Sequence, residues 1–200
     1  HQSWYIFHFE EIRVWEYRTG NVTCVRCQKG MWICVKAFEI TEQKAFMSAL
    51  LVQEVFDRFA VSEVTILTAC RYEIDGHRNG MFYSEEERQD LPEAEYMLWS
   101  GWRPYIYQII KGSKTPNSFR IVFRLTGENT ANVVASVGDG TRPEEVGGLF
   151  LNLQYEHEQL MVISGVAMKT FTLSKTVEQA WDGYAEKFLK KHGIVYELRW

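Results

Sequence analysis

"VKAFEITEQKAFMSALL", Val35 to Leu51, changes its period partway along. Phe38 and Ile40 flank Glu39 in the alternation of a half-buried strand. After Thr41 the apolar residues Phe46, Ala49 and Leu50 recur at helical spacing, and Phe56 and Phe59 extend the stripe. "RIVFRLTGENTANVVAS", Arg120 to Ser136, makes the same change at the same place. Phe123, Leu125 and Thr126 fall where Phe38, Ile40 and Thr41 stand, and Val133, Val134 and Val137 follow. Thr41 and Thr126 are candidate N-caps, since a hydroxyl there satisfies an unpaired N–H of the first turn.

Each strand-helix opening leads into a longer alternating stretch. Val64, Ile66, Thr68, Cys70, Tyr72 and Ile74 share one parity, and Asp75-Gly76 carries the residues of a hairpin turn. In the second copy Leu149, Leu151, Leu153 and Tyr155 share a face, with a turn near His157-Glu158. "LMVISG" and "VAMKTFTL" then read as two further short strands. A helix is expected over about 174–192, with Val177, Trp181, Tyr184 and Phe188 inward and Gly193 as its stop. Lys187, Lys190 and Lys191 suit the negative end of its dipole.

The fold class expected is α+β. Two β-α-β-β(-β) units, about 35–83 and 118–173, share antiparallel sheet and are closed by the C-terminal amphipathic helix. Residues 35–200 form one domain in this reading. At 46% hydrophobic and 24% charged residues the chain has the composition of a folded globular protein. A net charge of −4 excludes a protein that coats nucleic acid with its whole surface, leaving room for a local basic face. No apolar run approaches the roughly 20 residues of a membrane helix, so no membrane partner is expected. The four cysteines make no secreted disulfide framework, which points to a cytoplasmic setting.

Residues 1–34 follow neither period cleanly. Cys24 and Cys27 have the spacing of half a zinc site, but no second pair completes four ligands, so no metal is expected. The abrupt onset of patterning predicts that 1–34 is an over-extended or non-native segment, with Met31 or Val35 as the start of the working chain.

No arrangement supports catalysis. Glu156-His157-Glu158 lacks the second histidine of a zinc-protease helix, and Met161 stands in its place. Gly112 to Thr115 lacks the Gly-Lys-Ser/Thr order of a phosphate loop, and Ser164-Gly165 has no nucleophile-elbow context. No dinucleotide fingerprint occurs, so no cofactor is expected.

Two surfaces remain. Arg103, Lys111, Lys114, Arg120 and Arg124 fall within one hairpin-sized segment. Arg120 and Arg124 share a strand face opposite Phe119, Ile121, Phe123 and Leu125. Beside Trp102 and Tyr105, these cations form the combination that holds single-stranded nucleic acid; the same charges also suit a solvated sheet face. The aromatic run Tyr96 to Tyr107, with Trp99, Trp102 and Tyr105 as surface candidates, suits a peptide groove or a core. The acidic run Ser84 to Glu95 reads as a patch for a basic partner or as a solvated connector.

"VKAFEITEQKAFMSALLVQEVFD", "KTPNSF", "GGLFLNL" and "KTFTLSKTVEQAWD" together resemble an uncharacterised family of Gram-positive bacterial proteins, catalogued only as a domain of unknown function. The resemblance covers about 35–189. It implies a bacterial cytoplasmic setting and brings no catalytic residues. The element order is also loosely similar to sliding-clamp half-units, or to a two-repeat saddle. The function expected is a non-catalytic binding module, with a nucleic-acid or replication-type accessory role. The alternatives are a protein-interaction scaffold using segment 96–107, or an enzyme of unknown class.

Overall fold

A computed structural model of the chain describes residues 15–19, 22–26, 32–34, 36–90, 94–112, 114–169 and 174–199. Three short strands come first: β1 (Trp15–Thr19), β2 (Val22–Arg26) and β3 (Trp32–Cys34). The main body runs β4 (Ala37–Ile40), α1 (Gln43–Leu51), β5 (Ala60–Leu67), β6 (Arg71–Asp75), α2 (Glu85–Asp90) and α3 (Trp99–Ile110). It continues β7 (Ser118–Arg124), α4 (Gly127–Val137), β8 (Val146–Glu156), β9 (Gln159–Met168), α5 (Thr176–Lys191) and β10 (Tyr196–Leu198).

The fold is mixed α+β. Seven strands form one antiparallel sheet in the order β10-β4-β9-β8-β7-β5-β6, and β1-β2-β3 form a separate three-stranded sheet. Strand β3 lies against β9. The described part of 1–34, the segment that follows neither period cleanly in sequence, is this strand meander. The Cys24-Cys27 pair lies outside the residues whose side chains are described.

Alternation decides the two faces of the large sheet. Phe38, Val162, Leu151, Leu153, Ile121 and Val64 share one face across successive strands and are buried under the helices. Their intervening neighbours, among them Glu39, Glu63, Thr65, Arg120 and Gln154, take the other face. Over the apolar face the aromatics gather on Phe123. Phe56 stacks on it at 5.4 Å, Phe59 lies at 5.6 Å, and Trp99 meets it edge-on at 5.1 Å. Phe188 of α5 joins Phe56 and Phe59 at 5.4 and 5.3 Å. Such pairs add about 0.5–1.5 kcal/mol each beyond the area they bury.

Several boundaries differ from the sequence reading. Helix α1 ends at Leu51, so Phe56 and Phe59 are buried from the connecting turn and not from a helical stripe. Thr41 precedes the cap position: Glu42 is the N-cap, and the Thr41 N–H donates to Val195 O at 3.2 Å. Thr126 is the N-cap of α4, but its hydroxyl accepts from Asn129 Nδ2 at 2.9 Å and not from a helix N–H. The hairpin turn between β5 and β6 lies at Thr68 to Cys70, not at Asp75-Gly76. "LMVISG" and "VAM" belong to one continuous strand, β9. Its hairpin with β8 does turn at His157 and Glu158, both with positive φ (50° and 62°). In α5 the buried residues are Val177, Trp181, Ala185 and Leu189, while Tyr184 is exposed.

Candidate functional site

The five cations are not on one hairpin. Arg103 stands on α3, Lys111 closes that helix, Lys114 lies in the following loop, and Arg120 and Arg124 are on β7. The three arginines are engaged within the protein. Arg103 grips both carboxylate oxygens of Asp57 at 2.8 Å and donates to Val52 O at 3.0 Å, which ties α3 to the end of α1. Arg120 pairs with Glu63 across the β5–β7 register. Arg124 donates to Gly147 O at 2.5 Å, with its guanidinium 4.9 Å from the Tyr96 ring centre and 5.6 Å from that of Phe150. Lys111 extends over Tyr107 at 5.6 Å, and Lys114 is exposed.

The aromatic segment divides in the same way. Trp99 is fully buried, its indole N–H donating to Leu50 O at 2.9 Å, so it belongs to the core and not to a surface. Trp102 is half-buried and its Nε1 has no acceptor. Tyr105 is exposed at 67%. These residues sit on a helix where the sequence shows Gly101 and Pro104, both poor helix formers.

A polar network that the sequence did not announce lies between α5 and the sheet. Ser164, on the covered face of β9 and 1% exposed, donates to Asp182 Oδ1 at 2.5 Å and accepts the Lys36 N–H at 3.0 Å. Lys36 Nζ reaches Glu186 at 3.0 Å, and Lys190 reaches the other Glu186 oxygen at 2.7 Å. Burial pushes the Asp182 carboxyl above its ordinary value, with Ser164 and Lys36 pulling back. Hydrogen bonds from Lys190 and Lys36 hold Glu186 down to about 2. One turn earlier, burial raises Glu178, whose Oε2 has no hydrogen bond. The spacing 178, 182, 186 was legible as one helix face; its partners on β9 and before β4 were not. The Ser164 hydroxyl, 1% exposed and surrounded by Asp182 Oδ1, the Lys36 N–H and the Lys36 carbonyl at 3.3 Å, is out of reach of a substrate. The network fastens a helix to a sheet.

Among the described residues no three His, Cys, Asp or Glu side chains are grouped to hold a metal ion. No helix among them is long and apolar enough to cross a membrane.

What the fold leaves outward is an arm between β6 and α3. Its neck is a short antiparallel pairing: His77 bridges Tyr96, Arg78 N–H donates to Glu95 O at 2.8 Å, and Met97 N–H donates to Gly76 O at 3.0 Å. The Tyr96 ring is 4.3 Å from His77 on one side and meets Arg124 on another. Beyond the neck, Gly80–Phe82 form a single 3-10 turn, capped where Asn79 Oδ1 accepts the Met81 N–H at 3.0 Å. Met81 is 88% exposed and Phe82 80%. Ser84 and Glu87 then exchange reciprocal bonds, Ser84 N–H to Glu87 Oε2 at 2.8 Å and Glu87 N–H to Ser84 Oγ at 3.2 Å, the capping box of α2. Glu85, Glu86 and Glu87 occupy its first turn and are exposed. The sequence signal was there as a Ser-x-x-Glu start, but not that two apolar side chains before it would find no core.

No curated protein and no solved structure matches the chain. A family model does, over residues 49–197, from within α1 to β10, starting later and ending further on than the stretch first picked out by resemblance. The chain belongs to that family, DUF5721, a family of unknown function.

Proposed function

We propose that the protein is a non-catalytic binding module whose partner is another protein, engaged by the arm between β6 and α3. The observation that carries this reading is the exposure of Met81 and Phe82, at 88% and 80%, on a turn held by its own hydrogen bonds. Single exposed apolar residues are ordinary; two in succession on a turn held by its own hydrogen bonds call for a cover. Of the arginines in the nucleic-acid reading, Arg103 and Arg120 are paired with Asp57 and Glu63, and Arg124 is held by Gly147 O, Tyr96 and Phe150, which supports a protein partner over a phosphate backbone. The closed Ser164–Asp182 network supports a binding role over an enzymatic one.

The orders β4-α1-β5-β6 and β7-α4-β8-β9 support two related units. Their neighbours differ, since β7 lies between β5 and β8 whereas β4 lies between β9 and β10, which argues against interchangeable halves of a clamp or saddle. The test is a photo-reactive phenylalanine analogue at position 82, expressed in the native host and irradiated. A covalent adduct with a different polypeptide is the expected result. Adducts to nucleic acid, or none, overturn the proposal.

A further inference from the structure

We infer that the arm docks into an apolar pocket rimmed by lysine or arginine on the partner protein, with Phe82 and Met81 entering the pocket and Glu85 to Glu87 meeting the rim. This rests on the protein-partner reading above and adds the chemistry of the partner.

Three observations carry it. The apolar contact is already shaped: Asn79 fixes the turn at Met81, the Ser84–Glu87 box fixes the start of α2, and Arg88 Nε donates to Tyr83 O at 3.0 Å. A tip ordered before binding loses little conformational freedom when it docks. Next, the charge that follows the knobs is mainly acidic. Three glutamates follow Phe82 within five residues; of the two arginines nearby, Arg88 is turned back onto the Tyr83 carbonyl and Arg78 lies in the neck, paired through its N–H with Glu95 O. An acidic rim beside an apolar knob selects a cationic rim and repels phosphate, in nucleic acid or in an anionic membrane. Finally, the whole chain carries a net charge of −4, so a second copy offers the arm a surface of the wrong average sign.

The base of the neck is closely packed. Gly76 packs so close to Val61 that a Cβ would lie 1.7 Å from the Val61 carbonyl oxygen, and Tyr96 is clasped on the far strand of the neck. The arm therefore leaves the sheet edge from a fixed base.

The experiment uses the full chain as bait for a phage-displayed library of random short peptides, followed by affinity measurements on synthetic copies of enriched sequences at low and high salt. The expected peptides place Lys or Arg on either side of an aromatic or aliphatic residue. Their binding weakens with salt and falls at least about tenfold both in Met81→Ser/Phe82→Ser and in Glu85→Lys/Glu86→Lys, which spares the Glu87 cap, a loss of about 1.4 kcal/mol. Circular dichroism and thermal unfolding of both variants are expected to match the parent, since every changed side chain is exposed. Enrichment of neutral or acidic peptides, equal binding by either variant, or no enrichment overturns the inference. A partner cross-linked at position 82 whose affinity ignores the charge reversal sinks the cationic rim and leaves the protein-partner reading standing. Absence of any cross-link sinks both.

Discussion

Ser164 in β9 donates its hydroxyl hydrogen to Asp182 in α5, joining the middle of the sheet to the helix that covers it. The same oxygen accepts the Lys36 N–H, so one serine holds a strand, a helix and the residue entering β4. Ser164→Ala leaves the Asp182 carboxylate and the Lys36 N–H without this partner. The expected cost is about 1–3 kcal/mol, read as a lower urea midpoint with an unchanged denaturant slope.

Asp182 and Glu186 stand one turn apart and give opposite responses to pH. The Asp182 carboxyl is pushed up by burial, so the folded state keeps a proton that the unfolded state has released. The stability this contributes is present below the ordinary value of 3.8 and is lost as pH rises through the higher folded value. Glu186 is held at about 2, so its contribution is present above the ordinary 4.5 and is lost as pH falls toward 2. Urea midpoints measured across the acidic and neutral range should separate the two. Asp182→Asn removes the acid-side gain, and Glu186→Gln loses stability at neutral pH while converging on the parent in strong acid.

Gly76 has no room for a side chain. Gly76→Ala is expected to destabilise by about 3 kcal/mol or more, because the Val61 carbonyl is backbone and cannot move aside cheaply. Gly80→Ala, where nothing lies within 4 Å of an added Cβ, is the control and should shift stability by no more than about 0.5 kcal/mol. Thermal unfolding of the pair checks both.

The Arg103–Asp57 fork joins α3 to the turn after α1. Arg103→Ala is expected to lower stability by about 1.5–3 kcal/mol, and Arg103→Lys to recover only part of it, since an ammonium cannot reproduce the two parallel bonds. A double-mutant cycle with Asp57→Ala measures the coupling.

Fluorescence anisotropy with single- and double-stranded DNA at two salt concentrations is expected to show no steeply salt-dependent binding. Arg120→Ala/Arg124→Ala should lower stability, through loss of the Glu63 pair and the Tyr96–Phe150 clasp, without altering a DNA signal. Tight binding that collapses with salt and with this double variant would return the function to nucleic acid.

The sequence by itself determined what depends on neighbours along the chain. The alternation in Phe119, Ile121 and Phe123 set the buried face of β7, and the like pattern in Leu149, Leu151 and Leu153 set that of β8, because a strand turns over at every residue. The helical repeat after Gln43, and Val177 with Trp181, placed helices for the same local reason. Only the tertiary structure decided which strands are neighbours, that α3 is a helix despite Gly101 and Pro104, and where the charges end. Trp99 and Ile106 bury one side of α3, and Arg103 anchors it on Asp57; that packing outweighs weak propensity. Arg103 and Asp57, or Arg120 and Glu63, are far apart in the chain, and no periodicity records that each arginine has a carboxylate waiting. Met81 and Phe82 are apolar, yet the fold leaves them outside the core. A side chain's burial is a property of what packs against it, and that is settled only when the distant parts of the chain meet.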